Sequence, residues 1–337
     1  MKRKTENQQN GITIEKARDI VIRIKQIEGL SVHSISNYTK IFNDFERFFN
    51  KRKYINNLTI DDARAFIEWQ LHDKIQFKKA RFRKDKKKGV SISSANTYLQ
   101  YGKAVFSVLL QEGLVNENIF ESMKNIKKQE KQIDTLTPQE IKKILNSLDK
   151  NWYADFRAYV LIHTLIDTFG RIGEVLAIKK QDIDFEKECV VFNETKNNKF
   201  RIVPITKKTV YLLEELIEET KEFESEYIFL TNAGKRLTPD TFRKQLREIT
   251  QKAGIERRVH PHIFRHTSSM LFLKNNGSMR VLQKILGHRD IQTTMIYGHV
   301  LDDTVKAQHE MYSPIKMIEQ SEGYKTKTKQ SGRMSKK

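Results

Sequence analysis

The stretch "HPHIFRHTSS", residues 260–269, places three histidines and an arginine within seven positions. Its spacing alone fits a metal site, a buried structural patch or half of an active site. The charge of Arg265 repels a divalent ion, and no aspartate or glutamate occurs between Arg258 and Arg280 to offset that charge. Metal sites of this kind usually recruit carboxylate or thiolate ligands as well. The stretch therefore predicts no bound metal, and the other two interpretations depend on the rest of the chain.

The composition indicates a polyanionic partner. The 337 residues include 62 Lys and Arg against 42 Asp and Glu, a formal net charge of +20. A folded protein with this imbalance repels itself unless it binds a polyanion, and nucleic acid is the first candidate. No apolar run approaches the roughly 18 residues that a membrane span needs, and polar residues follow the basic start where a signal peptide needs apolar ones. The sequence thus predicts a soluble, cytoplasmic protein with no membrane partner.

Residues 12–122 predict an all-helical domain. In "SISNYTKIFNDFERFF", residues 34–49, the apolar side chains step by three and four positions along one face of a helix. "LTIDDARAFIEWQL", residues 58–71, opens on Thr59, a favourable N-cap, and Gly113 is a plausible stop for a later helix. The length of the chain fits two domains, and this region is the first of them.

A basic run, "KKARFRKDKKKG" at residues 78–89, interrupts this helical domain. Such a run is often only a solvated loop. Aromatic and apolar helices bracket this one on both sides, which favours a loop that contacts DNA phosphates. The candidate DNA-binding residues are Lys78, Lys79, Arg81, Arg83, Lys84, Lys86, Lys87 and Lys88.

Residues 123–134 are polar and lack periodicity, which is typical of a linker. The second domain is predicted at residues 135–314. It begins with a strong helix start, in which Thr137 is the N-cap, Pro138 takes the first helical position and Glu140 completes a capping box.

The second domain also contains one clear β signal. "ECVVFN" and "FRIVPI", residues 188–193 and 200–205, are β-rich runs joined by a polar turn, so they predict a hairpin. The predicted fold is therefore mainly α with a small antiparallel β-sheet: an all-helical domain, then a mixed α+β domain. Residues 1–11 predict a disordered N-terminus, and residues 315–337 predict a basic C-terminal tail.

Together with Arg265, several residues outside the opening stretch supply the chemistry for attack on a phosphodiester. Arg171 and Arg265 can each fork onto two phosphate oxygens, because a guanidinium is planar and permanently charged. Lys196 lies in the hairpin turn, and His288 precedes Tyr297 by nine positions. Tyrosine can be a nucleophile if a base removes its proton. The single cysteine excludes a cysteine-based zinc site, and no GxxxxGK[ST] loop occurs for nucleotide binding.

In its order, separations and local words this set resembles the tyrosine recombinases of the phage integrase family. The motifs that carry the resemblance are Arg171, Lys196, "HIFRH" (residues 262–266), "LGH" (residues 286–288) and Tyr297. The resemblance extends over about residues 15–310, since the helical region before the motifs is similar to the family's core-binding domain. It implies a SAM-like core-binding domain followed by a catalytic domain of the tyrosine recombinase type.

The resemblance implies a role for each matching residue. Tyr297 would attack the scissile phosphate and leave a 3′-phosphotyrosyl link. Arg171 and Arg265 would hold the phosphate and stabilise the transition state, and Lys196 would protonate the leaving 5′-oxygen.

The histidines and the acidic residue would assist. His262 would help to remove the tyrosine proton, His288 would hydrogen-bond a phosphate oxygen, and Glu174 would orient a catalytic side chain. The covalent link conserves the phosphodiester energy, so the resemblance implies no cofactor, neither ATP nor a metal ion.

Some positions keep an alternative. Lys199 competes with Lys196 as the acid, but Lys196 stands five residues before Arg201, as the family's acid does before its matching arginine. His260 and His266 are interpreted as structural. The family usually has Thr-Gly-x-Arg before its first arginine, whereas this chain has Thr-Phe-Gly-Arg, with Phe169 at the glycine position.

The function implied is site-specific recombination for integration or excision of a mobile element, with resolution of chromosome or plasmid dimers as the alternative. A type IB topoisomerase-like enzyme and a catalytically silent DNA-binding protein are further alternatives. The implied partners are core sites in double-stranded DNA, a homotetramer in the synapse, and an accessory excision factor or host DNA-bending protein. The implied location is a prokaryotic cytoplasm, in association with the nucleoid when the protein is on DNA.

Overall fold

The computed structural model describes residues 11–49, 54–76, 87–128, 133–194 and 199–298. Its contacts divide the chain into two compact units between Lys131 and Gln132. The described residues are mainly helical and include a three-stranded antiparallel sheet, which confirms the predicted fold class.

The first unit contains four α-helices among its described residues: α1 (Ile14–Ile27), α2 (Val32–Phe49), α3 (Ile60–His72) and α4 (Ile92–Gln111). The predicted apolar face of α2 is buried at Tyr38, Phe42, Phe45 and Phe49. The N-cap of α3 is Thr59, whose side chain forms a capping box with Asp62. Both features can be predicted from the sequence, because they depend only on the spacing of neighbouring residues.

Aromatic rings form the centre of this unit. The Phe45 ring lies 4.8 Å from that of Phe66 and 6.0 Å from that of Phe120, between ring centroids. These contacts join α2, α3 and the segment after α4. Each buried aromatic side chain removes a large apolar area from water, so this cluster accounts for much of the unit's stability.

A buried polar cluster lies at the end of α3. The Lys74 ammonium donates hydrogen bonds to Gln70 Oε1 at 2.9 Å and to the Tyr98 hydroxyl at 2.8 Å, and it pairs with the Asp44 carboxylate. Burial of these groups is tolerated because each one has a hydrogen-bonding partner.

The base of the basic run starts beside this cluster. Gln76 donates its backbone N–H to the Lys87 carbonyl at 3.0 Å, and Gly89 donates to the Lys74 carbonyl at 2.9 Å. Lys87 and Lys88 are exposed there. The other six candidate DNA-binding residues, Lys78, Lys79, Arg81, Arg83, Lys84 and Lys86, lie outside the described residues.

In the second unit the described helices are α5 (Pro138–Asn146), α6 (Tyr153–Thr168), α7 (Ile172–Val175), α8 (Lys207–Glu219), α9 (Pro239–Lys252), α10 (Pro261–Lys274) and α11 (Met279–Leu286). The Thr137 capping box with Glu140 is present as predicted. α6 is buried along most of its length and packs against α8 and α10, so its C-terminal end lies inside the unit. The segment that carries Arg171 begins at this end of α6.

The sheet has the order β1 (Ile183–Asp184), β2 (Cys189–Glu194), β3 (Lys199–Pro204), and all its pairs are antiparallel. β2 and β3 form the predicted hairpin, with Phe192 opposite Arg201. The sequence did not predict β1, because two residues are too short to show an alternating pattern.

The ends of the predicted linker pack against different units. Met123 and Ile126 contact the apolar core of the first unit, and Asn96 and Ile126 exchange hydrogen bonds at 2.8 and 2.9 Å. Ile133 packs within the second unit. In the described part of the chain, no helix is both long enough and apolar enough to cross a membrane.

We expect Gly89→Ala to destabilise the first unit more than Gly113→Ala does. Both glycines have a left-handed φ, +70° and +67°, where a Cβ costs about 1 kcal/mol. A Cβ at Gly113 would meet no atom within 4 Å, whereas one at Gly89 would overlap the carbonyl oxygen of Leu71. Urea unfolding should show an extra loss of about 1–3 kcal/mol in the Gly89 variant. Equal losses would contradict this explanation.

Candidate active site

The site begins where α6 ends. Phe169 turns the chain with φ +54° and ψ 22°, in the left-handed region. A non-glycine residue in this conformation costs about 1 kcal/mol or more. This cost explains why glycine suits the second position of the Thr-Gly-x-Arg motif. The Phe169 ring lies edge-on to Phe272, with 5.8 Å between centroids, and this packing offsets the backbone cost. The departure from Thr-Gly-x-Arg therefore keeps the turn that presents Arg171.

The residue after this turn must be glycine. A Cβ at Gly170 would overlap the Val175 side chain and lie 2.9 Å from Thr168 Oγ1. Arg171 follows as the N-cap of α7, and 44% of its side chain is exposed. The turn thus delivers one accessible guanidinium to the site.

Glu174 links two arginines. Its Oε1 accepts a hydrogen bond from Arg171 Nη1 at 2.7 Å, and its Oε2 accepts from Arg201 Nη2 at 2.7 Å and from the Arg171 backbone N–H at 2.9 Å. Burial by itself raises the pKa of this carboxyl, but the hydrogen bonds and charge of Arg201, with those of Arg171, bring the pKa down to about 2. The group is a carboxylate at neutral pH and holds Arg171 in one orientation.

Arg265 is buried, with 2% of its surface exposed. Its Nη1 donates to the Phe169 carbonyl at 2.7 Å, and its Nη2 donates to the Leu286 carbonyl at 2.9 Å. Burial, followed by the charge of Arg171, lowers the pKa of the guanidinium to about 10. Arg265 remains a cation at pH 7, and carbonyls from two helix ends hold it.

His288 completes the environment of this guanidinium. Gly287 caps the C-terminal end of α11 with φ +68°, and the next residue, His288, places its Nε2 3.1 Å from Arg265 Nη2. Arginine can only donate, so Nε2 accepts, and the ring proton lies on Nδ1, which donates to Thr294 Oγ1 at 3.0 Å. Burial and the charges of Arg265, Arg171 and Arg201 lower the pKa of His288 to about 4, so the ring is neutral at pH 7.

Tyr297 lies in a single helical turn, Met295–Tyr297, and only 1% of its surface is exposed. It packs with Leu273, Leu282 and Leu286. Burial raises the pKa of the phenol, although a hydrogen bond with Ser269 and the charge of Arg265 act in the opposite direction. The hydroxyl is 2.7 Å from His266 Nδ1.

The three histidines of the opening stretch occupy different environments. His260 is the exposed N-cap of α10, His262 is exposed two residues further on, and His266 is partly buried. The His262 and His266 rings meet edge to face, with 4.4 Å between centroids. Burial and the charges of Arg265, His260 and Arg171 lower the pKa of His262. The fold brings Nδ1 of His266 to the tyrosine hydroxyl, a contact that the spacing of the stretch does not predict.

The second unit contains Glu174 and five of the predicted catalytic residues. These five are Arg171, His262, Arg265, His288 and Tyr297. Lys196 lies outside the described residues, as does the rest of the turn at residues 195–198. Arg201 was noted only for its spacing, yet it is buried and contacts Glu174. A charged residue at an inward position of an alternating strand was the available signal for it. Across the described ranges, no group of three or more histidine, cysteine or acidic side chains is arranged to hold a metal ion.

Comparisons with known proteins show the family of this chain. The sequence profile described as the phage integrase family matches residues 134–304. The tyrosine recombinase XerA of Saccharolobus solfataricus is 31% identical over 82% of this chain and 86% of its own length. The tyrosine recombinase XerC of Anoxybacillus flavithermus is 28% identical over 86% of this chain and 94% of its own length.

Solved structures share the fold at lower identity. The Tn1549 transposon integrase in complex with transposon right end DNA superimposes with a TM-score of 0.72 at 18% identity, over 90% of this chain and 100% of that one. A lambda integrase dimer bound to a core site superimposes with a TM-score of 0.67 at 16% identity, over 86% and 78% of the two chains.

We expect Glu174→Gln to lower the free energy of unfolding at pH 7 by about 1–3 kcal/mol, since it removes the carboxylate that both arginines contact. The folded-state pKa of about 2 lies below the ordinary 4.5, so this contribution is complete above pH 4.5 and disappears as the pH falls towards 2. Urea titrations of both proteins at about pH 7 and about pH 3 measure the difference. If the difference in free energy of unfolding between the two proteins were the same at both pH values, a charge effect would be excluded.

Proposed function

Because the chain belongs to the phage integrase family and is a tyrosine recombinase, an enzyme that cleaves and rejoins DNA through a tyrosine intermediate, we propose that Tyr297 is its nucleophile in site-specific recombination. The hydroxyl oxygen attacks the scissile phosphate, a 3′-phosphotyrosyl bond forms, and the 5′-oxygen leaves. The phosphodiester energy is kept in this bond, so a free 5′-hydroxyl can reverse the step on another strand.

The observation that carries the proposal is the pair of guanidinium groups in the second unit. Arg265 is buried and fixed by the carbonyls of Phe169 and Leu286, and Arg171 is fixed by Glu174 with its side chain still accessible. Fixed cations stabilise the charge that develops on the phosphate without reorganisation at the moment of reaction. Loss of one such contact typically costs about 3–4 kcal/mol of transition-state stabilisation.

Three further residues have supporting roles in the proposal. His288 is neutral and hydrogen-bonds a non-bridging phosphate oxygen, for which its Nδ1–H must exchange the present acceptor, Thr294 Oγ1, for that oxygen. His262, which is exposed on the same helix as Arg265, assists proton removal from the tyrosine. Lys196 protonates the leaving 5′-oxygen from the hairpin turn, a role that its position between β2 and β3 supports.

The partner in this proposal is double-stranded DNA, which the net charge of +20 fits. Exposed Lys87 and Lys88, with the basic residues that precede them, contact phosphates of the site. A lambda integrase tetramer bound to a Holliday junction shares the fold over 85% of this chain with a TM-score of 0.65. We extend this arrangement to a homotetramer in the synapse, with an accessory excision factor or host DNA-bending protein as a further partner.

Two biological roles remain in the proposal. The resemblance of the sequence motifs implies integration or excision of a mobile element. The curated relatives named XerA and XerC, which align over more than four fifths of this chain, favour the alternative of dimer resolution. Both roles use the same strand cleavage and differ in the arrangement of the two sites.

The cleavage proposal predicts that Tyr297→Phe abolishes covalent attachment to DNA. The target site is first selected by the protein from a random duplex library and is then built into a nicked duplex that traps the cleaved product. Wild-type protein should form an adduct that survives denaturing electrophoresis, in the presence of EDTA as well. Tyr211→Phe, which alters an exposed tyrosine on α8, is the matched control and should form the same adduct. An adduct with Tyr297→Phe would refute the nucleophile assignment.

The two roles predict different products from the selected site. Dimer resolution predicts that two directly repeated copies on one plasmid recombine to give two circles without any added factor. Integration predicts efficient joining of two separate plasmids, with excision dependent on an accessory protein. Gel analysis of both reactions, with Tyr297→Phe as the inactive control, decides between them.

A further inference from the structure

The hydrogen bond between His266 and Tyr297 can serve the reaction as well as the packing of the unit. We propose that His266 is a further catalytic residue, which holds the Tyr297 hydroxyl and accepts its proton as the phenol oxygen attacks phosphorus. The inference rests on the proposed role of Tyr297 as nucleophile. It assigns the tyrosine proton to His266, so that His262 assists indirectly, through its ring contact with His266.

The geometry supports this assignment directly. His266 Nδ1 lies 2.7 Å from the Tyr297 hydroxyl oxygen, which is within the range for proton transfer through a hydrogen bond. His266 also stands next to Arg265 on α10, in a helix that is buried along one face. The helix α10 therefore sets the positions of both Arg265, which holds the phosphate in the proposal, and His266, which contacts the nucleophile.

His262 supports the ring of His266 from one turn earlier. The two imidazoles meet edge to face, with 4.4 Å between their centroids. The Tyr297 ring also packs against His266, with 5.8 Å between their centroids. His266 is thus the middle member of a row of three rings. Its orientation is restricted by contacts on two sides, as a positioned proton acceptor requires.

The direction of the hydrogen bond follows from the chemistry. With the imidazole proton on Nε2, Nδ1 accepts from the phenol, and the lone pairs of the phenol oxygen stay available for phosphorus. In the step, the Tyr297 O–H bond breaks and its proton passes to His266 Nδ1 while the bond between oxygen and phosphorus forms. The bond from phosphorus to the 5′-oxygen breaks, and that oxygen takes a proton from the general acid, Lys196 in the proposal. Religation returns the proton from His266 to the tyrosine.

The surrounding charges couple this base to DNA binding. Burial, and then the charges of His262, His260 and Arg265, lower the pKa of His266 to about 4. In the free protein the ring is therefore neutral and accepts the hydrogen bond without taking the proton. A phosphodiester between the arginines brings a negative charge that offsets this positive field, so the basicity of His266 rises only when the substrate is bound.

The test uses single-turnover formation of the covalent adduct on the nicked duplex that carries the selected site. His266→Phe keeps a ring of similar size and removes the acceptor. His266→Asn keeps an amide oxygen near the position of Nδ1, which accepts a hydrogen bond but not a proton. His260→Asn is the matched control, because His260 is an exposed N-cap and asparagine caps helices well. Thermal unfolding and DNA affinity are measured for every variant.

A second substrate isolates the proton transfer. In it, sulfur replaces the bridging 5′-oxygen of the scissile phosphate, so that the leaving group departs without a proton. We expect this substrate to restore cleavage by Lys196→Ala and to leave the His266 variants slow.

The expected result is a fall of about 100-fold or more in the cleavage rate for His266→Phe and His266→Asn on both substrates. Their DNA affinities should remain within about 2-fold of wild type, and His260→Asn should cleave within about 3-fold of wild type. A rate for a folded His266 variant within about 3-fold of wild type would overturn the inference. So would faster cleavage, which would make the contact an inhibitory latch, or rescue by sulfur, which would place His266 on the leaving-group side. An adduct formed by Tyr297→Phe is a separate result that refutes the nucleophile assignment itself.

Discussion

The buried guanidinium of Arg265 is the group around which the second unit is organised. A buried cation must find hydrogen-bond acceptors inside the protein, because it has lost its water. Here the acceptors are the carbonyls of Phe169 and Leu286, at the C-terminal ends of α6 and α11, where the helix dipoles place partial negative charge. The cation thus ties three helices together, since Arg265 itself belongs to α10.

That constraint explains the backbone of its neighbours. Both carbonyls stand at helix ends, and both ends turn through a left-handed residue, Phe169 and Gly287. Gly287 adopts this conformation without cost, whereas Phe169 depends on its contact with Phe272. The two turns also release Arg171 and His288 at the positions where they surround the guanidinium. The same hydrogen bonds therefore stabilise the unit and shape its site.

The electrostatics of the site follow from an excess of positive charge. Arg171, Arg201 and Arg265 lie close to one carboxylate, Glu174, whose pKa falls to about 2 after the opposing effect of burial. The same field, added to burial, keeps His266 and His288 neutral at pH 7. A site of this kind favours an anion, and a phosphodiester would relieve the repulsion among its arginines. Binding energy from DNA can thus change the proton affinity of the residues that perform the chemistry.

The sequence by itself determined the fold class, the helix starts at Thr59 and Thr137, and the β2–β3 hairpin, since each depends on the spacing of neighbouring residues. It also determined the set of chemical groups, because the order of the motifs is specific. Only the tertiary structure decided which groups touch. Spacing along α10 cannot tell His262 from His266, as both lie on one face, and the packing of a residue 31 positions downstream selects His266. The role of Arg201 and the left-handed turn at Phe169 emerged in the same way, because burial and long-range hydrogen bonds join segments that are distant in the chain.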